Sequence, residues 1–181
     1  MSFRIISGTF GGRKIDAPDT TRTHPMGERI RNALFNSIGD EIKGARVLDA
    51  FAGTGSIGLE ALSRGAHDVL FIERDRVAQK ILADNIAALG VEDRSTIIRT
   101  STSNWLEKNE QKEFDIIFVD PPYHDAQFST VERIFGLLKL GGLMVLSHPG
   151  RGEVPTRTGV VVVDNRSYGN AYLTFYRRED A

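Results

Sequence analysis

No cysteine occurs among the 181 residues. That excludes disulfides, thiolate metal ligands and a cysteine nucleophile together. The four histidines (His24, His67, His124 and His148) are scattered without the spacing of a metal site, and no metal is expected. Net charge is only −1, so no overall basic excess marks a nucleic-acid partner. The opening MSFRIISGTF lacks the apolar stretch of a signal peptide, and no apolar run is long enough to span a bilayer. The expectation is a cytoplasmic protein of a reduced compartment, and the length suits one domain, residues 1–181.

What is present is unevenly placed. Residues 1–31 carry six basic side chains (Arg4, Arg13, Lys14, Arg22, Arg29, Arg31) against three acidic ones (Asp16, Asp19, Glu28). Such a stretch either contacts phosphates or is a solvated face. Two apolar–basic runs around Gly8, Gly11 and Gly12 predict a β-hairpin. Ile30, Leu34, Phe35 and Ile38 recur at helical spacing, with Thr23 before Pro25 as a start signal and Gly39 as a stop. Strands and helices then alternate. Strands are predicted at 46–51, 69–73, 95–99, 114–120 and 143–147, and helices at 56–65, 75–89, near Trp105 and at 128–139. Two last strands, 159–164 and 171–177, are joined through Ser167, Gly169 and Asn170. Near-continuous apolar strands between helices predict a doubly wound, mostly parallel α/β sheet. Residues 45–181 form this core, and residues 1–44 an appendage of hairpin and helix.

The segment VLDAFAGTGSIG leaves the first core strand for a helix, with Gly53, Gly55 and Gly58 as G-x-G-x-x-G. Glycines there permit a tight bend and bring the backbone against a ligand at the carboxyl edge of the sheet. Glu73 ends the next strand, where an acid accepts hydrogen bonds from ribose hydroxyls. Taken alone, this is equally the site of a dinucleotide oxidoreductase. Asp49 argues otherwise, because a carboxylate before the loop repels a pyrophosphate and suits a cationic group. The pattern Asp49, Phe51, Gly53, Gly55, Gly58 resembles the cofactor loop of class I methyltransferases, whose ligand is S-adenosylmethionine.

A second motif ends the apolar strand FDIIFV: Asp120, Pro121, Pro122 and Tyr123. The carboxylate and the Pro121 carbonyl are acceptors for the hydrogens of an exocyclic amine. Two prolines stiffen the backbone that presents them. The Tyr123 ring is a platform for an extruded base. DPPY matches the [DNS]-P-P-[YF] signature of amino-methyltransferases, and the lack of cysteine agrees, since pyrimidine C5 methylation normally needs a thiolate.

RIISGTFGGRKI, then ERIRNALFNSI, the glycine loop and DPPY together resemble the RsmD-type 16S ribosomal RNA guanine-N2 methyltransferases over essentially the whole chain. The resemblance implies a seven-stranded sheet with its last strand antiparallel, and a guanine substrate in small-subunit rRNA, presented on an assembling particle. It assigns rRNA contacts to Arg4, Arg13, Lys14, Arg29 and Arg31. The cofactor set becomes Asp49, Phe51, Ala52, Gly53, Thr54, Gly55, Gly58, Glu73, Arg74, Ser101, Thr102 and Asp120, in a monomer with no membrane contact. The chain departs from the family in three places. His24, Pro25, Met26, Gly27 and Glu28 replace the usual R-P-T-[TS]-D; Thr100, Ser101, Thr102 and Ser103 stand where an acid meets the cofactor adenine; and Ser147 and His148 end the fifth strand where an acid is common. A guanine offers N1–H beside its amine, so Asp120 accepts from both, whereas adenine offers a bare N1 there. An adenine-N6 enzyme acting on DNA or RNA is the alternative.

Overall fold

A computed structural model describes residues 2–17, 26–169 and 171–179. Asp19, Arg22, Thr23, His24, Pro25 and Asn170, which enter the sequence reading, lie outside the described residues.

The hairpin pairs β1 (Ser2–Arg4) with β2 (Lys14–Asp16) as a separate antiparallel ribbon. α1 (Glu28–Ile38) follows, buries Leu34, Phe35 and Ile38, and ends at Gly39, whose φ is +59°. The core then runs β3 (Arg46–Asp49), α2 (Ser56–Ser63), β4 (Asp68–Ile72), α3 (Arg76–Leu89) and β5 (Ser95–Ile98). It continues through α4 (Thr102–Leu106), β6 (Phe114–Val119), α5 (Phe128–Ile134), β7 (Leu138–His148), β8 (Val160–Tyr168) and β9 (Ala171–Arg178). The seven-stranded sheet has the order β5-β4-β3-β6-β7-β9-β8, with β9 antiparallel to both neighbours and the other neighbouring pairs parallel. This is the Rossmann-like arrangement, and its strand order reverses between β3 and β6, the place where such sheets hold ligands at their carboxyl ends.

Alternate strand residues feed opposite layers, as the period of two requires. Val47, Phe71, Ile116 and Phe118 pack under α1, α2 and α3. Leu48, Ile72, Ile117 and Val119 face α4 and α5. Both faces are therefore covered, which is why the strands read as unbroken apolar runs.

Three boundaries differ from expectation. α1 starts at Glu28 behind an extended Gly27, later than the Thr23–Pro25 signal. α5 stops at Ile134, and after one 3₁₀ turn strand β7 already begins at Leu138. Phe114 pairs with Leu138 and Ile116 with Leu143, so residues 139–142 bulge out of the ladder, with Gly141 at φ +80°. Ser167 belongs to β8 rather than to the last connection, because Tyr168 already pairs with Ala171. No helix among the described residues is long and apolar enough to cross a membrane.

The hairpin is bolted to the core rather than appended to it. Ile5 and Ile15 lie in the α1–α3 layer. Glu60, fully buried on α2, accepts from the backbone N–H of Ile6 at 2.9 Å and of Ser7 at 3.1 Å. It also accepts from Arg31 Nε at 3.4 Å and Arg64 Nε at 2.8 Å. Four donors satisfy a charge that burial alone would make very costly. Gly8 sits so close to α2 that a Cβ there would lie 1.9 Å from the Ser63 carbonyl oxygen.

Candidate active site

β3 delivers Asp49 to the carboxyl edge, and the chain turns through Gly53 and Gly55 at φ +57° and +98° before α2 starts. These left-handed positions favour glycine. The third glycine has another reason: a Cβ on Gly58 would lie 2.2 Å from the Phe71 ring, so helix and strand meet only because it is absent. At Gly53 an added Cβ would meet nothing within 4 Å, which leaves that side of the loop open. Ala52 N–H donates to the Ile72 carbonyl at 2.9 Å, fixing the loop on β4. Asn85, buried on α3, donates to the Thr54 carbonyl at 3.0 Å while exchanging two hydrogen bonds with the backbone of Asp16 in the hairpin. Phe51 packs on the α4–α5 layer.

Glu73 follows β4. Its carboxylate accepts from Gly53 N–H and from Asp75 N–H, each at 2.8 Å. Each oxygen retains a lone pair, so the group is held in place yet able to accept from ribose hydroxyls. Arg74 beside it is exposed.

Asp49 is 1% exposed; its Oδ2 accepts from Gly58 N–H at 3.1 Å. Oδ1 has no partner, the one buried side-chain polar atom in that condition among the described residues. Burial first, then the charge of Asp120, push its pKa up to about 8 against the Gly58 hydrogen bond. A buried carboxylate left half-satisfied calls for a donor that carries positive charge.

Asp120 emerges beside it at the end of β6, half-buried. Burial raises its pKa to about 6, and a hydrogen bond with the Ser147 hydroxyl opposes the rise. Pro121 is buried, whereas Pro122 and Tyr123 are exposed. The Tyr123 phenol oxygen lies 2.7 Å from Ser147 Oγ, and the residue remains 40% exposed. Met26, Leu34, Ile57 and Leu173 wall the crevice beneath Asp120 and Ser147.

The sequence profile of a family described as Conserved hypothetical protein 95 matches residues 3–177. The chain belongs to that family. A Bacillus subtilis relative named "Putative rRNA methyltransferase YlbH" is 31% identical over 97% of this chain and 98% of its own length. "Ribosomal RNA small subunit methyltransferase D" of Buchnera aphidicola is 42% identical over 67% of this chain, and the match spans 63% of that relative. The solved "Putative methyltransferase yhhF from Escherichia coli" superposes over all of both chains with a TM-score of 0.90 at 30% identity. The RsmD-type resemblance read from the motifs is borne out by these relatives, as is the fold class.

In this member of the Conserved hypothetical protein 95 family, the hydroxyls after β5 are partly used internally. Ser101 caps α4 by accepting from Asn104 N–H at 3.2 Å, and the buried Thr102 hydroxyl donates to the Ala50 carbonyl. Trp105 is packing, at 7% exposure in the α4–α5 layer. Of the basic residues assigned to RNA, Arg4, Arg13, Lys14 and Arg29 are exposed. Arg4 pairs with Glu28, and Arg13 donates to the Ala88 carbonyl at 2.7 Å. Arg31 must be struck from that set. It is 1% exposed, ion-paired to Glu60, bonded to the Met26 and Arg4 carbonyls, and lies 5.5 Å from the Phe3 ring centre. The sequence reading missed Glu60 and Asn85. A lone carboxylate inside the apolar helix SIGLEALS was the available signal for the first.

Proposed function

We propose that this chain transfers a methyl group from S-adenosylmethionine to the exocyclic N2 amine of a guanine in 16S rRNA of the small ribosomal subunit. Methylation of ribosomal RNA is what its relatives are named for. The observation that carries the reading is the buried, unpartnered Asp49 Oδ1 at the end of β3, where a glycine loop begins and Asp120-Pro121-Pro122-Tyr123 follows the neighbouring strand.

The residues present fit the cofactor. Asp49 would accept from its ammonium group and Glu73 from its ribose hydroxyls, and the open side of Gly53 would admit close backbone approach. Bound there, S-adenosylmethionine supplies an electrophilic methyl on a sulfonium centre. The remaining work belongs to the chain. Asp120 and the Pro121 carbonyl take the amine hydrogens and aim the nitrogen, which otherwise shares its lone pair with the base. Asp120 at about 6 is matched to receive the proton that the amine would shed as the methyl carbon exchanges its bond to the sulfonium sulfur, which keeps the electron pair as a thioether, for a bond to nitrogen. Tyr123 gives the flipped base a stacking surface worth about 1–3 kcal/mol, against an unstacking cost of a few. Asp120 accepts from guanine N1–H as well as from the amine, which favours guanine over adenine. Exposed Arg4, Arg13, Lys14 and Arg29 form the phosphate-contacting face of residues 1–44, in a cytoplasmic monomer acting on an assembling subunit particle.

The test is transfer of labelled methyl to undermethylated small subunits, naked 16S rRNA and duplex DNA, followed by digestion to nucleosides. Label in N2-methylguanosine from rRNA supports the reading, with Asp120→Ala inactive yet still binding S-adenosylhomocysteine. Label in N6-methyladenine would replace it with the adenine alternative.

A further inference from the structure

We propose that Ser147 is a positioning residue for this reaction, setting the Tyr123 ring and the Asp120 carboxylate together through its single hydroxyl. The proposal rests on the methyl-transfer reading above. Val119 of β6 and Leu146 of β7 are register partners, so Asp120, just past the end of β6, lies beside Ser147, which is still within β7 and pairs with Leu173 of β9. Ser147 is 3% exposed and has no freedom to swing into solvent.

Its hydrogen bonds are directional for a chemical reason. Asp120 and Ser147 line the same crevice, and the Ser147 hydroxyl opposes the rise in the Asp120 pKa; a carboxylate only accepts, so in the proposed chain the serine proton is directed at Asp120. The serine then has lone pairs but no second proton, and the Tyr123 phenol 2.7 Å away must donate to it. The chain therefore runs from Tyr123 O–H to Ser147 Oγ, and from Ser147 O–H to Asp120. Tyr123 stands in an exposed stretch after two prolines and is itself 40% exposed. Tethering the phenol oxygen fixes the plane on which a base stacks, while the other end of the chain holds the carboxylate that aims the amine. One residue thereby sets the platform and the acceptor in a common frame, which is the condition for productive orientation.

Four proteins test this in the labelled-methyl assay: wild type, Ser147→Ala, Ser147→Thr and Tyr123→Phe, with the Ser147→Ala/Tyr123→Phe double variant alongside. Ser147→Ala should lower kcat about three- to tenfold, the worth of one buried hydrogen bond. Its affinity for S-adenosylhomocysteine by calorimetry should be unchanged, and Ser147→Thr should restore the rate. The double variant should be no slower than Ser147→Ala, because both changes cut one chain. The acid limb of kcat should move to higher pH in Ser147→Ala, which loses the donor to Asp120, and stay in place in Tyr123→Phe, which does not. A purely structural serine would lower the melting temperature without moving that limb. If Ser147→Ala fails to bind S-adenosylhomocysteine, Tyr123→Phe carries the test: a reduced kcat with an unmoved limb supports the chain, and a wild-type kcat overturns it. Wild-type kinetics in Ser147→Ala, or strictly additive losses, also overturn it while methyl transfer stands. A wild-type chain that transfers no methyl removes the methyl-transfer reading and this role with it.

Discussion

Asp49 and Asp120 close neighbouring parallel strands, and the charge on Asp120 is second only to burial in lifting Asp49 to about 8. Asp120 itself rises to about 6. In the folded chain both groups hold protons over a range where ordinary carboxylates have lost them. The geometry thus stores electrostatic tension at the point where the cofactor's positive charge is proposed to sit.

That tension has a sign in pH. Between the ordinary carboxylate range and about pH 8 the folded state binds more protons at Asp49 than the unfolded state does, so stability falls as pH rises through this window. Asp120 contributes in the same direction up to about pH 6. The ligand-free protein should therefore lose melting temperature between about pH 5 and 8, and Asp49→Asn should flatten the part above about pH 6. Binding of S-adenosylhomocysteine, whose ammonium favours ionised Asp49, should release protons. Calorimetry in buffers of different ionisation enthalpy measures that number, and proton uptake would contradict the electrostatic account.

Two of the loop glycines should respond to substitution in different ways. Gly58→Ala forces a methyl 2.2 Å from the Phe71 ring, and overpacking of this sort costs about 1–3 kcal/mol. Gly53→Ala meets no atom but must hold φ at +57°, a strain of about 1–2 kcal/mol. Its methyl projects into the open side of the loop. Gly53→Ala should therefore weaken S-adenosylhomocysteine binding far more than Gly58→Ala does, relative to each variant's loss of melting temperature. Equal ratios for the two would mean that the open side is not the ligand's side.

The elements that carry this site were legible because each motif ends an apolar strand. Asp49, Glu73 and Asp120 come at such ends, and alternation of strand and helix sends all of them to one edge. Residues whose role depends on distant partners were not legible. Arg31 counts as a surface charge in any composition, but its partner Glu60 lies 29 residues away on another helix. The bulge at 139–142 hid behind Leu137, Leu138 and Leu140, which extend the helical pattern of α5 until Gly141 and Gly142 interrupt it. Ser147 showed only as a missing acid, since its phenol partner is 24 positions earlier.

Arg31 and Arg29 give a direct comparison on one helix. Arg31→Ala leaves Glu60 buried with one ion-pair partner fewer, and breaking a buried pair costs about 3–5 kcal/mol. Arg64 still bonds Glu60, which places the loss toward the lower end. Arg29 is exposed, so Arg29→Ala should stay within about 0.5 kcal/mol of wild type. Urea unfolding of the two variants checks this; equal midpoints would refute the structural role assigned to Arg31.

The exposed cations make a prediction of the opposite kind, in binding rather than stability. Each phosphate contact releases condensed counterions, so its removal flattens the dependence of log affinity on log salt. Arg13→Ala and Lys14→Ala combined should reduce the slope for 16S rRNA by about 1.5 if both touch phosphates of unpaired RNA. Arg13 also donates to the Ala88 carbonyl, so Arg13→Gln combined with Lys14→Ala, which keeps a donor at residue 13 without the charge, is the matched control. If the glutamine variant retains the hairpin's melting behaviour yet shows the same loss of slope, the effect is the charge on RNA. An unchanged slope in both proteins would make residues 13 and 14 an ordinary solvated part of the hairpin and move the RNA-contacting face elsewhere on the molecule.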